Sequence, residues 1–138
     1  MSKKTIIIII LSVVLIGSIV LALKMYNKPF VNIAETKPNL LITSDVLVDN
    51  FSNNEIEANT KYLEEIIQVN GTIIAIDSDK TGKGIITLGN EDTIGSVICH
   101  LSEKENEKNL KTGQTVNIKG ICTGYLMDVV LVKCVIVP

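Results

Sequence analysis

The chain has 138 residues, 46% of them hydrophobic, with 13 basic against 15 acidic residues and only 4% aromatic residues. This length suits one domain with appendages. All the basic residues are lysine, so the chain lacks the guanidinium groups that pair bidentately with phosphates and base edges. The slightly acidic balance and the scarcity of aromatic residues exclude a strongly basic, aromatic-rich nucleic-acid-binding domain.

The first element is an apolar run from Ile6 to Leu23 that contains no charged residue. As a helix it would be about 27 Å long, which matches the hydrocarbon thickness of a bilayer. Because lipid offers no hydrogen-bond partners to the backbone, such a run is helical when it spans a membrane. The sequence therefore predicts a membrane anchor at residues 1–24. A signal peptide cleaved after Ala22 is the alternative, but the run exceeds the usual apolar core of about 7–15 residues.

The lysines that flank this run predict its orientation. Lys3, Lys4 and the amino terminus precede the run, and Lys24 and Lys28 follow it. The slight excess of positive charge before the run favours an amino terminus inside the cell. We therefore expect a single-pass membrane protein whose domain lies in the periplasm or outside the cell.

A polar tether and a helical lead-in follow the anchor. Residues 25–42 contain two prolines and show no periodicity, which is typical of a tether. From Thr43 or Ser44, either of which suits a helix N-cap, apolar residues recur at helical spacing. The predicted stripe contains Leu47, Phe51, Ile56, Asn59 or Thr60, and Leu63. We expect one broken helix or two short helices between Ser44 and Leu63.

The rest of the chain alternates in the way that strands do. Five strands are predicted: residues 65–77, with Gly71 marking a bulge or bend, then 84–89, 96–101, 115–124 and 129–137. A charged segment, residues 102–114, separates the third strand from the fourth, and we expect it to be a short helix or loop that closes one end of a barrel. This arrangement predicts a mainly β domain over residues 43–138 with the five-stranded Greek-key barrel of an OB-fold. An open meander is the alternative.

Three segments resemble the tRNA_anti-like family of small bacterial OB-fold proteins. They are KGICTGYLMDVVLVKC at Lys119–Cys134, NTKYLEEIIQVNGTI at Asn59–Ile73 and MYNKP at Met25–Pro29. The resemblance covers most of the chain and implies an OB-fold behind an N-terminal hydrophobic segment. It implies a shape rather than an activity, and no catalytic residues are carried over.

Three cysteines lie in predicted strands, and they leave open whether a disulfide forms. In an exported domain, Cys122 and Cys134 are the candidates for a bridge. A turn centred near Leu126 would place Cys122 opposite Val130 and Cys134 opposite Ile118, so the two would not face each other unless a bulge near Gly120 shifted the register. Buried, unpaired thiols are the alternative.

The sequence predicts no metal site and no cofactor. Cys99 and His100 are adjacent on a strand and therefore point to opposite faces, which disfavours a shared zinc ion. The segment from Asp77 to Gly82 matches the opening of a calcium loop, but its twelfth position is Leu88 rather than glutamate. We interpret this segment as a hairpin turn.

These features favour a non-catalytic binding module of the cell envelope over an enzyme, since no nucleophile lies at a suitable spacing from the single histidine. A protein, a peptide or a small molecule is the expected ligand.

The alternative ligand, single-stranded nucleic acid, is disfavoured because Tyr125 is the only aromatic stacking platform after Glu64. That alternative would need a contiguous lysine cluster, formed by Lys80, Lys83, Lys119 and Lys133. By OB-fold precedent, the binding surface lies on the second and third strands and adjacent loops, where Lys80 and Lys83 are candidate residues. The hairpin that contains Tyr125, Leu126 and Met127 is the other candidate; such side chains either pack under the barrel, which is the more frequent outcome, or form a contact patch. The ligand and the oligomeric state stay open.

Overall fold

The computed structural model describes residues 1–27, 32–103 and 109–138. The chain divides into two compact units, Met1–Val31 and Asn32–Pro138. The first unit contains helix α1, Lys3–Tyr26, whose N-cap is Ser2. The side chain of Ser2 accepts a hydrogen bond from the backbone N–H of Thr5.

Helix α1 is long and apolar enough to cross a membrane. Its mean hydropathy reaches 3.3, and none of its side chains is buried against other parts of the protein. A signal sequence near an amino terminus would have the same length and composition. The predicted helix is therefore present, whereas its cleavage and orientation stay predictions.

Within residues 32–103 and 109–138, the second unit contains six strands and two helices. In chain order these elements are β1 Leu40–Thr43, α2 Ser44–Asn53, α3 Glu55–Tyr62, β2 Ile66–Ser78, β3 Gly84–Leu88, β4 Val97–Leu101, β5 Thr115–Leu126 and β6 Asp128–Val137. The strand order is β1-β2-β3-β4-β6-β5, and β5 pairs again with β2. Strands β2 to β6 therefore form a closed barrel.

This barrel has the topology of an OB-fold, so the predicted fold class is confirmed. Strand β2 pairs with two barrel strands: its residues 66–72 pair with β5, and its residues 73–78 pair with β3. The register shifts between Ile73 and Ala75, just beyond Gly71. A bulge of this kind lets one long strand bend from one side of the barrel to the other.

Strand β1 was not predicted from the sequence. It lies in the segment that we interpreted as the end of the tether, and it pairs in parallel with residues 67–70 of β2. Four residues are too few for alternation to distinguish a strand from a loop. The structure thus extends the sheet by one short strand at an edge of β2.

Two short helices are present between Ser44 and Tyr62, which is one of the two arrangements expected from the sequence. Asn54 ends α2 and begins α3, and its side chain accepts a hydrogen bond from the backbone N–H of Glu57 at 3.2 Å. Because this break resets the helical phase, Ala58 and Tyr62 are buried, whereas Ile56 is 82% exposed. The predicted positions in α2 are buried, but the predicted continuation through Ile56 was wrong.

The hydrophobic core joins these helices to the barrel interior. Phe51 of α2 lies between two tyrosine rings, with centroid distances of 5.7 Å to Tyr62 and 5.5 Å to Tyr125. The inward side chains of every barrel strand complete the same core. The helices therefore cover part of the barrel and fix the position of the β5–β6 turn. Part of the charged segment 102–114, predicted to close the barrel, lies outside the described residues.

Candidate binding face of the barrel

The outer surface of β3 and β4 corresponds to the face that OB-fold proteins commonly use for ligands. Successive side chains of a strand point to opposite faces. In these two strands the buried positions alternate with half-buried ones. The outward side chains are Ile85, Thr87, Ile98 and His100. In the antiparallel register Ile85 lies opposite His100, and Thr87 lies opposite Ile98.

Aliphatic residues extend this face onto β6. Strand β6 runs parallel to β4, and Ile98 is paired with Val130. Val130 and Val132 are half-buried outward positions that alternate with buried Val129 and Leu131. We define the barrel face as Ile85, Thr87, Ile98, His100, Val130 and Val132. It contains four aliphatic side chains, no Phe, Tyr or Trp ring and no lysine, so its chemistry favours an apolar ligand surface.

The β2–β3 loop, residues 79–83, lies at one end of the barrel face. The carboxylate of Asp79 accepts hydrogen bonds from the Thr81 hydroxyl at 2.7 Å and from the backbone N–H groups of Thr81 and Lys83. These bonds, above all the one from the Thr81 hydroxyl, hold the pKa of Asp79 below its usual range. The carboxylate thus organises the turn, as expected for a hairpin. Lys80 and Lys83 lie in this loop, but Asp77 and Asp79 balance their charge.

At the other end of the barrel face, two loops are joined by hydrogen bonds. Residues 89–96 follow β3, and the β5–β6 turn at Met127 lies beside them because Val97 pairs with Val129. The Asp128 carboxylate accepts hydrogen bonds from the backbone N–H and the hydroxyl of Ser96, both at 2.8 Å. Ser96 in turn accepts a bond from the N–H of Val129 at 2.9 Å. This end is therefore held in one arrangement.

The loop after β3 and the β5–β6 turn, which are joined by these hydrogen bonds, expose three large apolar side chains. Ile94 is 89% exposed, Leu126 is 90% exposed and Met127 is 72% exposed. Met127 also has a φ of 68°, which is uncommon for a residue with a side chain. We call these three residues the apolar tip. Leu126 and Met127 were predicted candidates, whereas Ile94 was missed because it stands alone among the polar residues of its loop.

Two other candidate residues occupy interior positions. Tyr125 is half-buried and stacks on Phe51, so its ring contributes to the core. Lys119 is 5% exposed, and its ammonium group donates to the carbonyl oxygens of Ala34 and Thr36 at 3.0 and 2.8 Å. Lys119 is therefore unable to join Lys80 and Lys83 in an exposed lysine cluster, which would be needed for the nucleic-acid alternative.

The cysteines are arranged differently from the predicted pairing. Cys122 lies opposite Leu131 rather than Val130, since the β5–β6 turn is at Met127 and the register shifts twice along this pair. All three cysteines are free and buried, and the neighbouring Cys134, together with burial, raises the pKa of the Cys99 thiol. The neighbour of Cys134 is thus Cys99, not Cys122.

A polar groove of about 810 Å³ includes part of the loop after β3, and the sequence reasoning missed it. It runs from the start of α2 past the middle of β2 to the loop after β3. Its charged lining residues are Asp45, Glu91 and Asp92. Three carboxylates make this groove unsuited to phosphate groups.

The barrel topology and its outer face define this chain as an OB-fold protein, and a solved structure shares that fold. A lipoprotein from Klebsiella pneumoniae subsp. pneumoniae, to which nucleic-acid binding has been ascribed, matches with a TM-score of 0.59 and 18% identity, over 70% of this chain and 91% of its own. A chain of the S. pombe Stn1–Ten1 complex matches with a TM-score of 0.41 and 20% identity, over 52% and 57%. No curated protein matches the chain.

A sequence profile of the tRNA_anti-like family matches residues 1–136, which is nearly the whole chain. The chain therefore belongs to the tRNA_anti-like family. The resemblance inferred from the sequence is confirmed.

Proposed function

We propose that this protein is a non-catalytic, membrane-anchored binding module of the cell envelope, and that its barrel face binds an apolar segment of a peptide or protein. The aliphatic character of the barrel face is the observation that carries this proposal. Ile98 lies beside Val130 of β6, and Ile85 of β3 is its diagonal neighbour. A ligand that covers them removes apolar surface from water, at about 25 cal/mol per Å².

The apolar tip supports the same ligand class. Leu126 and Met127 adjoin the end of the barrel face at which Val97 and Val129 pair. The bonds between Asp128 and Ser96 hold this end in place before a ligand arrives. Binding to a surface that is already ordered loses less conformational entropy. Helix α1, acting as an uncleaved anchor, would keep the module at the membrane.

Binding of apolar peptides tests the main proposal. We expect the compact unit Asn32–Pro138 to select peptides with aliphatic side chains from a displayed random library. Ile98→Lys should then weaken binding of the selected peptide at least tenfold, or about 1.4 kcal/mol, because it buries a charge in an apolar contact. The measurement is fluorescence anisotropy with a labelled peptide. Thr60→Lys, at an exposed position of α3, is the matched control and should bind as the parent does. Equal weakening in both variants, or a library without selected peptides, would contradict the proposal.

Single-stranded nucleic acid is the second candidate, favoured by the position of Lys80 and Lys83 in the loop beside the barrel face. An OB-fold that binds single strands combines cationic groups with aromatic stacking platforms. Here two aspartates lie close in sequence to the two lysines, and the barrel face has no Phe, Tyr or Trp ring. The lysines alone therefore support this function, and the main proposal expects no binding.

The corresponding test is anisotropy of labelled oligo-dT and oligo-U across a salt series. The main proposal predicts no binding at about 50 mM salt, where phosphate contacts are strong. If binding occurs, replacing both Lys80 and Lys83 by glutamine should reduce the slope of log K against log salt by about 1.4. Replacing Lys37 and Lys61 by glutamine serves as the charge-matched control. Binding that shows this selective loss would establish the second candidate and displace the first.

A further inference from the structure

Cys99 and Cys134 lie side by side inside the barrel, between β4 and β6. Both side chains are fully buried, and they lie on paired neighbouring strands. In the parallel pairing Cys99 lies opposite Leu131 and Leu101 lies opposite Cys134, with a shift of register between these two rungs. The shift adds one residue to β6 and brings Cys134 back to the interior beside Cys99.

Gly120 of β5 leaves the space that the sulfur of Cys134 occupies. A β-carbon on Gly120 would lie 2.5 Å from the Sγ atom of Cys134 and 3.0 Å from the carbonyl oxygen of Val132. The position of Cys134 therefore depends on the absence of a side chain on the neighbouring strand. Cys122 lies on a different rung, opposite Leu131.

We propose that Cys99 and Cys134 form a disulfide when the domain folds in an oxidising compartment, and that Cys122 remains a thiol. The two residues are diagonal neighbours on paired strands, and the Cα atoms of such neighbours lie about 7–8 Å apart, so a small backbone movement brings the sulfurs within bonding distance. The bridge would join β4 to β6, the one parallel pair in the barrel, whose hydrogen bonds are slightly weaker than antiparallel ones. Disulfides are common in domains exported to the periplasm or cell surface, where the proposed orientation of α1 places this unit.

The reaction needs a disulfide-containing oxidant, such as oxidised glutathione or a thiol oxidase of the envelope. The thiolate of one cysteine attacks the oxidant and forms a mixed disulfide, releasing one thiol of the oxidant. The second cysteine then attacks the mixed disulfide, forms the Cys99–Cys134 bond and releases the other thiol. The two cysteines lose two protons and two electrons, and the oxidant disulfide gains them as two thiols.

Burial determines when this exchange takes place. Neither sulfur is reached by solvent in the folded barrel. The neighbouring Cys134 thiol and then burial raise the pKa of the Cys99 thiol well above its ordinary value, so the reactive thiolate is scarce in the native state. Oxidation therefore precedes closure of β4 against β6, and the reduced native protein resists it.

The experiment is to denature and reduce the full chain in detergent, then refold it with glutathione buffer of defined oxidised fraction. Free thiols are counted before and after, and the products are digested without reduction and analysed by mass spectrometry. The number of free thiols should fall from three to one, with one cross-linked peptide pair containing Cys99 and Cys134. The same buffer added to native reduced protein should give no bridge over the same time.

Two variants make the assignment specific. Cys122→Ser should retain the cross-link and have no remaining free thiol, whereas Cys134→Ser should lose the cross-link and keep both thiols. If Cys134→Ser fails to fold, the peptide map of the parent still decides the matter. Three free thiols after refolding, or a bridge that includes Cys122, would overturn the proposal.

Discussion

Phe51→Ala should lower the free energy of unfolding by about 3–5 kcal/mol, the usual cost of removing a buried aromatic side chain. Phe51 is 1% exposed and lies between the rings of Tyr62 and Tyr125. Its removal leaves a cavity between α2, α3 and the end of β5. Urea denaturation of the compact unit, followed by circular dichroism, measures the effect.

Ile56→Ala is the matched control for Phe51→Ala. Ile56 belongs to the next helix but is 82% exposed, so its truncation should change stability by less than about 0.5 kcal/mol. A loss below about 1 kcal/mol for Phe51→Ala would mean that the helices do not share a core with the barrel. Similar losses in both variants would contradict the orientation of α3, in which Ile56 faces the solvent.

Gly95→Ala should cost about 3 kcal/mol, because a methyl group at this position meets two obstacles. Gly95 has a φ of +95°, and a β-carbon would lie 2.7 Å from the carbonyl oxygen of Met127 and 2.9 Å from a methyl group of Val48. The left-handed backbone costs roughly 1 kcal/mol in alanine, and the overlap adds about 1–3 kcal/mol. The measurement is again the urea midpoint.

Gly82→Ala separates these two contributions. Gly82 has a similar φ of +83°, but nothing lies within 4 Å of its β-carbon position. It should therefore cost only the backbone term, about 1 kcal/mol. If the two alanine variants lose equal stability, the close approach of the β5–β6 turn to Gly95 is not what requires glycine there.

The barrel strands were predictable because alternation identifies a strand that has one buried face. All five were located within about two residues of their observed ends, and the long charged segment marked the gap that separates the third barrel strand from the fourth. The predicted use of the second and third barrel strands located the barrel face, but not its composition. That composition depends on which of two alternating sets points outward, and the structure assigns Ile85 and Ile98 to the outside.

Other features depend on contacts between distant residues, which no local pattern contains. Lys119 can be buried because two backbone carbonyl oxygens, 85 and 83 residues earlier in the chain, accept hydrogen bonds from its ammonium group. The Cys99–Cys134 contact depends on a register shift of one residue in β6. From the sequence of an alternating segment, one cannot tell which carbonyl groups accept hydrogen bonds from the lysine, or that the strand register shifts before the cysteine.

The short length of β1 limits strand pairing between neighbouring copies of this protein. The barrel closes on itself, so among the described residues β1 provides the outer edge of the sheet. Unpaired strand edges recruit other chains into intermolecular sheets. Here the edge contains only four residues, with Pro38 two positions before it and α2 beginning directly after Thr43. A second copy would find too few backbone groups for stable pairing, so the fold limits aggregation even at high local density.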